Sequence, residues 1–235
     1  MSIIVGIDTS STDLGIGIYR DGMPLASYSR YIGNSHAEHL TPLLATLLQT
    51  NGIPPHTVRQ IAIAEGPGSF TGLRIGIAFV KGFAAGVNAR VLPVSSLEIL
   101  AYAARTVPGS VISAIDARNG DIFSAGFRSD GYRLHRNTPD TVVTRKQFLS
   151  GLSDDDIIVT DTLGYARSCA FTSLPEGCRH LPVSVNPLQR GLICASTGVI
   201  ASGNEQLWLH HTELQPKYLR RSTPELRRER EGSPS

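Results

Sequence analysis

Only three cysteines, Cys169, Cys178 and Cys194, occur in 235 residues, and none stands in C-x-x-C spacing. Three thiols so placed support neither a disulfide framework nor a zinc knuckle; buried or incidental thiols in a reducing compartment are expected. Charge is also sparse. Asp, Glu, Lys and Arg make up 18% of the chain, below the roughly 25% of an average soluble domain. A net charge of +2 is too mild to indicate nucleic acid by itself, and a low charge content leaves weakly polar surface that suits a protein partner. No apolar run approaches the roughly 20 residues that cross a bilayer. The N-terminus MSIIVGIDTS enters a strand-like run with no basic n-region and no cleavage site. A cytoplasmic protein without membrane attachment is the expectation.

Catalytic signatures are missing too. The stretch EGPGSFTGLRIGIAFVKGFAAG, Glu65 to Gly86, resembles a phosphate loop opening a helix. It lacks the Gly-Lys-Ser/Thr ending of a Walker loop and the three-glycine turn of a dinucleotide fingerprint. His36-Ala37-Glu38-His39 sets two histidines three apart, whereas a metalloprotease helix needs H-E-x-x-H. No third ligand is identifiable, so no metal site is expected and both histidines read as helix-end residues. Gly68-Ser69-Phe70 lacks the glycine that would complete a G-x-S-x-G elbow.

What is present is an α/β alternation that occurs twice. Ile3 to Asp8 reads as a strand, Leu14 to Arg20 as a second, Asp21-Gly22 as a hairpin turn and Met23 to Tyr31 as a third strand. A leucine-rich helix follows from about His36 to Gln49. Next come a strand at Ile61 to Ala64, a helix at Phe70 to Val87 and a strand at Val91 to Val94. Ser95 caps a helix to about Thr106, with S-S-L-E matching a capping box. After Pro108-Gly109 the pattern restarts: IDTSSTDLGIGIYRDGMPL from Ile7 aligns with IDARNGDIFSAGFRSDGYRL from Ile115, a duplicated unit. A strand at Asp156 to Thr160 and helices at Gly164 to Ala170 and Pro187 to Ser202 complete the second half. Residues 224–235 are polar without apolar periodicity and are expected to be disordered. The duplication predicts a two-lobed actin-like (ASKHA, ribonuclease H-like) α/β fold, each lobe a mixed sheet with helices, with lobes at 1–107 and 108–223.

In that fold the first hairpin of each lobe grips nucleotide phosphates through backbone amides. Close approach of backbone to phosphate favours glycine. The first bend, Asp8-Thr9-Ser10-Ser11-Thr12, has none, and the second, Asp116-Ala117-Arg118-Asn119-Gly120, has one, late. Asp8, Thr9, Ser10 and Asp116 are therefore expected to form a degenerate nucleotide site, the acids capping their own turns. An independent ATPase or small-molecule kinase is the alternative that the paired hairpins keep open.

On a helical wheel Gly72, Gly76, Phe79, Phe83 and Gly86 share one face of the second helix, and Arg74, Ala78, Lys81 and Ala85 form a polar-to-small stripe. The apolar circumference far exceeds the ~100° that one sheet contact needs. Gly72, Gly76, Gly82 and Gly86 together cost about 4 kcal/mol against alanine. Close approach of another backbone would offset this, either from the leucine helix of the same chain or from a helix pair across a subunit interface. Leu40, Leu43, Leu44, Leu47 and Leu48 form the matching stripe on the first helix, with His36 at its edge. Pro42 either kinks that helix or marks its start near Thr41.

IIVGIDTSS, HAEHLTPLLATLL, AIAEGPGSFTGLRIGIAFVKGFAAG followed by VLPVSSLEILA, AIDARNGDIFSAGF and QPKYLRRS closely resemble the TsaB (YeaZ) family. The resemblance implies a chain without catalysis of its own that partners TsaD, the metal-bearing transferase of tRNA threonylcarbamoyladenosine formation. TsaE, an ATPase, joins them, and tRNA is reached through the complex. In that family the two helices after the first hairpin pack against those of TsaD, and homodimers use the same or an overlapping region. Carried over, the contact helices are 36–48 and 69–87, with His36, His39, Leu40, Leu43, Leu44 and Leu47 and with Ser69, Phe70, Gly72, Leu73, Gly76, Phe79 and Phe83 as contact residues. The resemblance implies no cofactor held strongly by this chain and leaves ATP or ADP to the partner complex. The family's older label as an M22-like glycoprotease finds no support in these residues. The terminal Arg220, Arg221, Arg227, Arg228 and Arg230 interleave with Glu225, Glu229 and Glu231, as in a solvated tail.

Overall fold

Ile3–Asp8 forms strand β1, buried along its whole length, which is why its Ile and Val run shows no polar alternation. It pairs antiparallel with β2 (Asp13–Arg20), which pairs antiparallel with β3 (Met23–Tyr31). On the other side β4 (Gln60–Gly66) and then β5 (Arg90–Ser95) add in parallel, so the order is β3-β2-β1-β4-β5. The second sheet repeats the scheme. β6 (Gly109–Asp116) lies antiparallel to β7 (Asp121–Ser129) and parallel to β10 (Ile157–Thr160), which carries β11 (Arg179–Pro182). With β8 (Leu134–Arg136) its order is β11-β10-β6-β7-β8. The internal repeat from Ile7 and Ile115 is thus a repeat of topology, and the chain has the two-lobed actin-like α/β fold. This computed structural model describes residues 2–33, 35–160, 178–182, 193, 196 and 204–219. The helices expected at 164–170 and 187–202 lie outside these apart from Ile193 and Ser196, as do Cys169, Cys194 and the tail.

Four helices are described: α1 (His36–Thr50), α2 (Phe70–Val87), α3 (Ser96–Ala101) and α4 (Arg145–Ser150). α2 begins and ends where the sequence places it, because its caps are local. The Ser69 hydroxyl accepts from the Gly72 N–H at 3.2 Å, and Asn88 takes the left-handed conformation that closes the last turn. α1 starts at His36 and runs through Pro42, which settles the open choice: the proline lies inside the helix, on its exposed side. α3 is shorter than expected and passes at Tyr102 into a 3-10 turn. Ser95 caps the Glu98 N–H, but the Glu98 carboxylate turns outward to Arg136 at 2.9 Å, so the reciprocal half of the capping box is absent. α4 opens on a complete capping box of Thr144 and Gln147, a signal written within four residues of the sequence.

In the second lobe the third strand is broken in two. β8 and β9 (Thr141–Thr144) each pair with β7. Between them the Gly126 N–H takes the Thr138 hydroxyl as acceptor at 2.7 Å, and Pro139, which has no N–H, cannot continue a ladder. The interruption leaves Asp140 buried at the junction of the lobes. There, Ile4, Ala62, Leu92 and Val94 of the first sheet meet Leu97 and Leu100 of α3 and Val111, Phe127 and Ile157 of the second, in one continuous core.

The end of the described chain returns to the first lobe. Val91 and Leu209 exchange two backbone hydrogen bonds, Leu214 is fully buried in the first lobe's core, and the Lys217 N–H donates to the Glu65 carbonyl at 2.9 Å. The division at 108–223 therefore counts with the second lobe a segment, 208–218, that packs on the first. No local pattern announces such a return, because its partners lie more than a hundred positions upstream.

Candidate functional site

Both hairpin acids cap their own bends. Asp8 Oδ1 accepts from the Ser10 N–H at 2.8 Å and the Ser10 hydroxyl at 2.7 Å, while Asp116 Oδ1 accepts from the Arg118 N–H at 2.8 Å. These are the Asx turns expected of the two residues. Asp8, Thr9 and Ser10 are buried, and α2 lies over them. The Ser69 N–H donates to the Ser10 carbonyl at 2.7 Å. A Cβ at Gly68 would overlap the Ser10 carbonyl oxygen, one at Gly72 the Thr9 carbonyl oxygen, and one at Gly76 the Thr9 hydroxyl.

This corrects the role expected of Gly72 and Gly76. What they admit is neither a partner's helix nor α1 but the bend of this chain's first hairpin, the Thr9 carbonyl at Gly72 and the Thr9 side chain at Gly76. By contrast, a Cβ at Gly82 or Gly86 would meet nothing within 4 Å. The four glycines of the helix thus divide into two that close the fold and two that lie bare.

α1 and α2 touch side by side, and their burial sorts the expected contact residues. His36, Leu40, Leu44, Gly72, Leu73 and Gly76 are buried in this chain's own core and present no surface. His36, at the first position of α1 and the edge of its buried line, is itself buried together with Leu40, Leu44 and Leu48. His39, Leu43, Leu47, Ser69, Phe70, Phe79 and Phe83 are half-buried. The Phe79 and Phe83 rings stack with centroids 5.9 Å apart. Opposite the buried side of α2, Thr71, Arg74, Ala78, Gly82, Ala85 and Gly86 are exposed; they lie within the expected span 69–87, though not among its named contact residues. By length and composition α2 is apolar enough to cross a membrane, yet one side packs on β4 and it carries Arg74 and Lys81. Gly72, Leu73, Gly76, Ile77, Val80 and Ala84 are its buried residues. The helix pair thus bears a ridge of half-buried Leu and Phe beside a flat strip of small residues.

Burial pushes the His36 imidazole below its ordinary value, against the opposing pull of the Asp13 backbone and the Asp8 carboxylate. A depressed pKa favours the neutral ring in the folded chain. The associated stability is present above 6.5, the ordinary value, and is lost as pH falls through the depressed one. Urea midpoints of the wild type and His36→Gln are therefore expected to converge as pH falls from about 7.5 to about 5. A constant gap would contradict the assignment. His36 is buried and His39 half-buried, and among the described residues no group of three or more His, Cys, Asp or Glu is placed to hold a metal.

At the lobe junction the Asp140 carboxylate, with 0% side-chain exposure, accepts from Ser95 Oγ at 3.0 Å, Arg136 Nη1 at 2.6 Å and Lys217 Nζ at 2.9 Å. Nearby, burial raises the pKa of Glu65, and Lys217 opposes the shift. The Asp140 cluster fastens the returning segment to both lobes. Removing the anion leaves Arg136, 30% exposed and still paired with Glu98 at 2.9 Å, and Lys217, 39% exposed, so Glu98 and water recover part of the loss. Asp140→Ala is expected to cost about 2 kcal/mol in urea unfolding, less than the 3–5 kcal/mol of a fully buried broken pair. A loss below about 0.5 kcal/mol would show the cluster to be incidental.

Comparison with known proteins follows this geometry closely. A family model described as TsaD: tRNA N6-adenosine threonylcarbamoyltransferase matches residues 30–186. The tRNA threonylcarbamoyladenosine biosynthesis protein TsaB of Bacillus subtilis (strain 168) is 33% identical over 153 residues, covering 65% of this chain and 67% of that protein. Its counterpart in Escherichia coli (strain K12) is 31% identical over 157 residues, 63% and 68% of the two chains. The solved structure of YeaZ from Pseudomonas aeruginosa superposes with a TM-score of 0.80 at 26% identity, over 93% of this chain and all of that one. A match that spans both lobes, joined to the doubled sheet order, leaves one conclusion: the chain belongs to the TsaB (YeaZ) family.

Proposed function

We propose that this chain is a non-catalytic scaffold subunit of tRNA threonylcarbamoyladenosine formation, docking a TsaD-type transferase through the exposed face of α1 and α2. The observation that carries the proposal is the strip of exposed Ala78, Gly82 and Ala85 on α2 beside the half-buried Phe79 and Phe83. A soluble chain gains about 25 cal/mol per Å² by removing such surface from water, and the bare strip at Ala78, Gly82 and Ala85 lets another helix approach closely. Family membership supports a role in the pathway that its TsaB relatives are named for.

In the cytoplasm, a TsaE-type ATPase and tRNA then reach this chain through the complex, with ATP or ADP at the partner junction, and a second copy covers the same face when the transferase is absent. The test is co-expression with the TsaD-type subunit of the same genome, followed by gel filtration. A stable heterodimer is expected; separate elution at tens of micromolar would overturn the docking. Steady ATP turnover by the isolated chain, lost in Asp8→Ala, would replace the scaffold with a kinase-like enzyme.

A further inference from the structure

Arg74 is exposed on α2, four positions before Ala78 and eight before Gly82 on the same strip. Its guanidinium carbon lies 3.8 Å from the Phe70 ring centroid and 5.9 Å from that of Tyr218. The two rings stand 4.8 Å apart at 30°. Arg74 Nε donates to the Tyr218 hydroxyl at 3.1 Å. One of five N–H donors is thereby used, and among the described residues no carboxylate pairs with the other four. Tyr218 in turn is held by the returning segment: its neighbour Lys217 donates its N–H to the Glu65 carbonyl and its ammonium to Asp140, each at 2.9 Å. The backbone of Lys217 also lies over Gly66, where a Cβ would crowd the Lys217 carbonyl at 2.9 Å.

We infer that Arg74 is the anchor for a carboxylate on the protein that covers α2, and that the segment ending in Tyr218 holds it ready; this rests on the docking proposed above. Three observations support it. First, stacking and the Nε bond have already restricted the side chain, so less conformational entropy is lost when a partner binds. Second, the charge of the helix pair is one-sided where it matters: α2 carries Arg74 and Lys81 and no acid, and α1 carries a single acid, Glu38. The complement of that end of the strip is negative. Third, Arg74 stands against Phe70 and Tyr218, one turn before exposed Ala78. A lone oriented guanidinium bordered by aromatic and small side chains is the composition of a protein–protein hot spot. Phosphate-backbone capture instead draws on several cations along one track.

The test measures affinity for the TsaD-type subunit at about 50 and about 300 mM KCl. Arg74→Gln is expected to weaken binding ~10- to 100-fold and to flatten its salt dependence. Arg74→Lys does not restore it, since an ammonium cannot reproduce a stacked two-donor fork. Tyr218→Phe keeps the ring, loses the Nε bond and is expected to weaken binding ~2- to 5-fold, an independent readout if Arg74→Gln perturbs folding. Gly82→Leu serves as the control for the docking itself. If Gly82→Leu abolishes the complex while Arg74→Gln and Tyr218→Phe bind as wild type, the anchor is refuted and the interface stands. Should all three bind as wild type, the interface falls as well. Unchanged subunit affinity with weaker tRNA binding by the assembled complex would assign Arg74 to RNA phosphate and overturn the carboxylate.

Discussion

Gly72→Ala is expected to lower stability by about 2–4 kcal/mol, or about 4–16 °C in unfolding midpoint at this chain length. The added methyl would occupy the position of the Thr9 carbonyl oxygen, which belongs to the buried bend capped by Asp8 and cannot rotate away. The gain in helix propensity, about 1 kcal/mol, is included in that net figure. Gly76→Ala is expected to cost less, because it meets the Thr9 side chain, though Thr9 is buried and β-branched and has little rotamer freedom. Gly82→Ala on the same helix is expected to be neutral or stabilising by up to about 1 kcal/mol, since nothing stands within 4 Å. Equal effects at Gly72 and Gly82 in urea unfolding would show that α2 is not seated on the hairpin as described.

The second large effect separates folding from assembly. Gly82→Leu leaves the isolated chain as stable as wild type, by the same open space and the same propensity gain, and is expected to weaken binding of the TsaD-type subunit more than 100-fold. A leucine on the bare strip pushes a facing helix outward from the 8–10 Å separation of close helix packing and opens gaps along the Phe79 and Phe83 ridge. Gel filtration of the mixed subunits reads the result; co-elution equal to wild type would refute the placement of the interface. Gly76→Leu is a poor probe of the same question, because it disrupts the hairpin contact inside this chain before any partner is met.

Much of this architecture was legible in the sequence. The strands β1, β2 and β3, the helix α2 and the doubled hairpin emerge from period-2 and period-3.6 patterns and from caps that act within three or four residues. The Asx turns at Asp8 and Asp116 were legible for the same reason, since both acceptor and donor lie two positions apart. The candidate interface was only half legible. A helical wheel groups Gly72, Gly76 and Gly86 by angle and small size, but it carries no information about what stands in front of each. The burial of His36 was not legible either: the wheel sets it at the edge of the leucine stripe, and only the fold covers that edge with the first hairpin. The split of the third strand in the second lobe escaped notice because Thr138 replaces a ladder bond that sequence alone does not reveal.

The sequence by itself determined the order of elements, the repeat that builds two like sheets, and the lack of glycine in the first bend. Each depends on interactions among near neighbours in the chain, so each is written in local pattern. Only the tertiary structure decided which glycines face the hairpin and which lie bare. It alone brought Tyr218 to Arg74 across 144 positions, and it alone placed Asp140 between the lobes. Such contacts are fixed when the whole core packs, because the free energy that holds them is shared among segments with no sequence relation to one another.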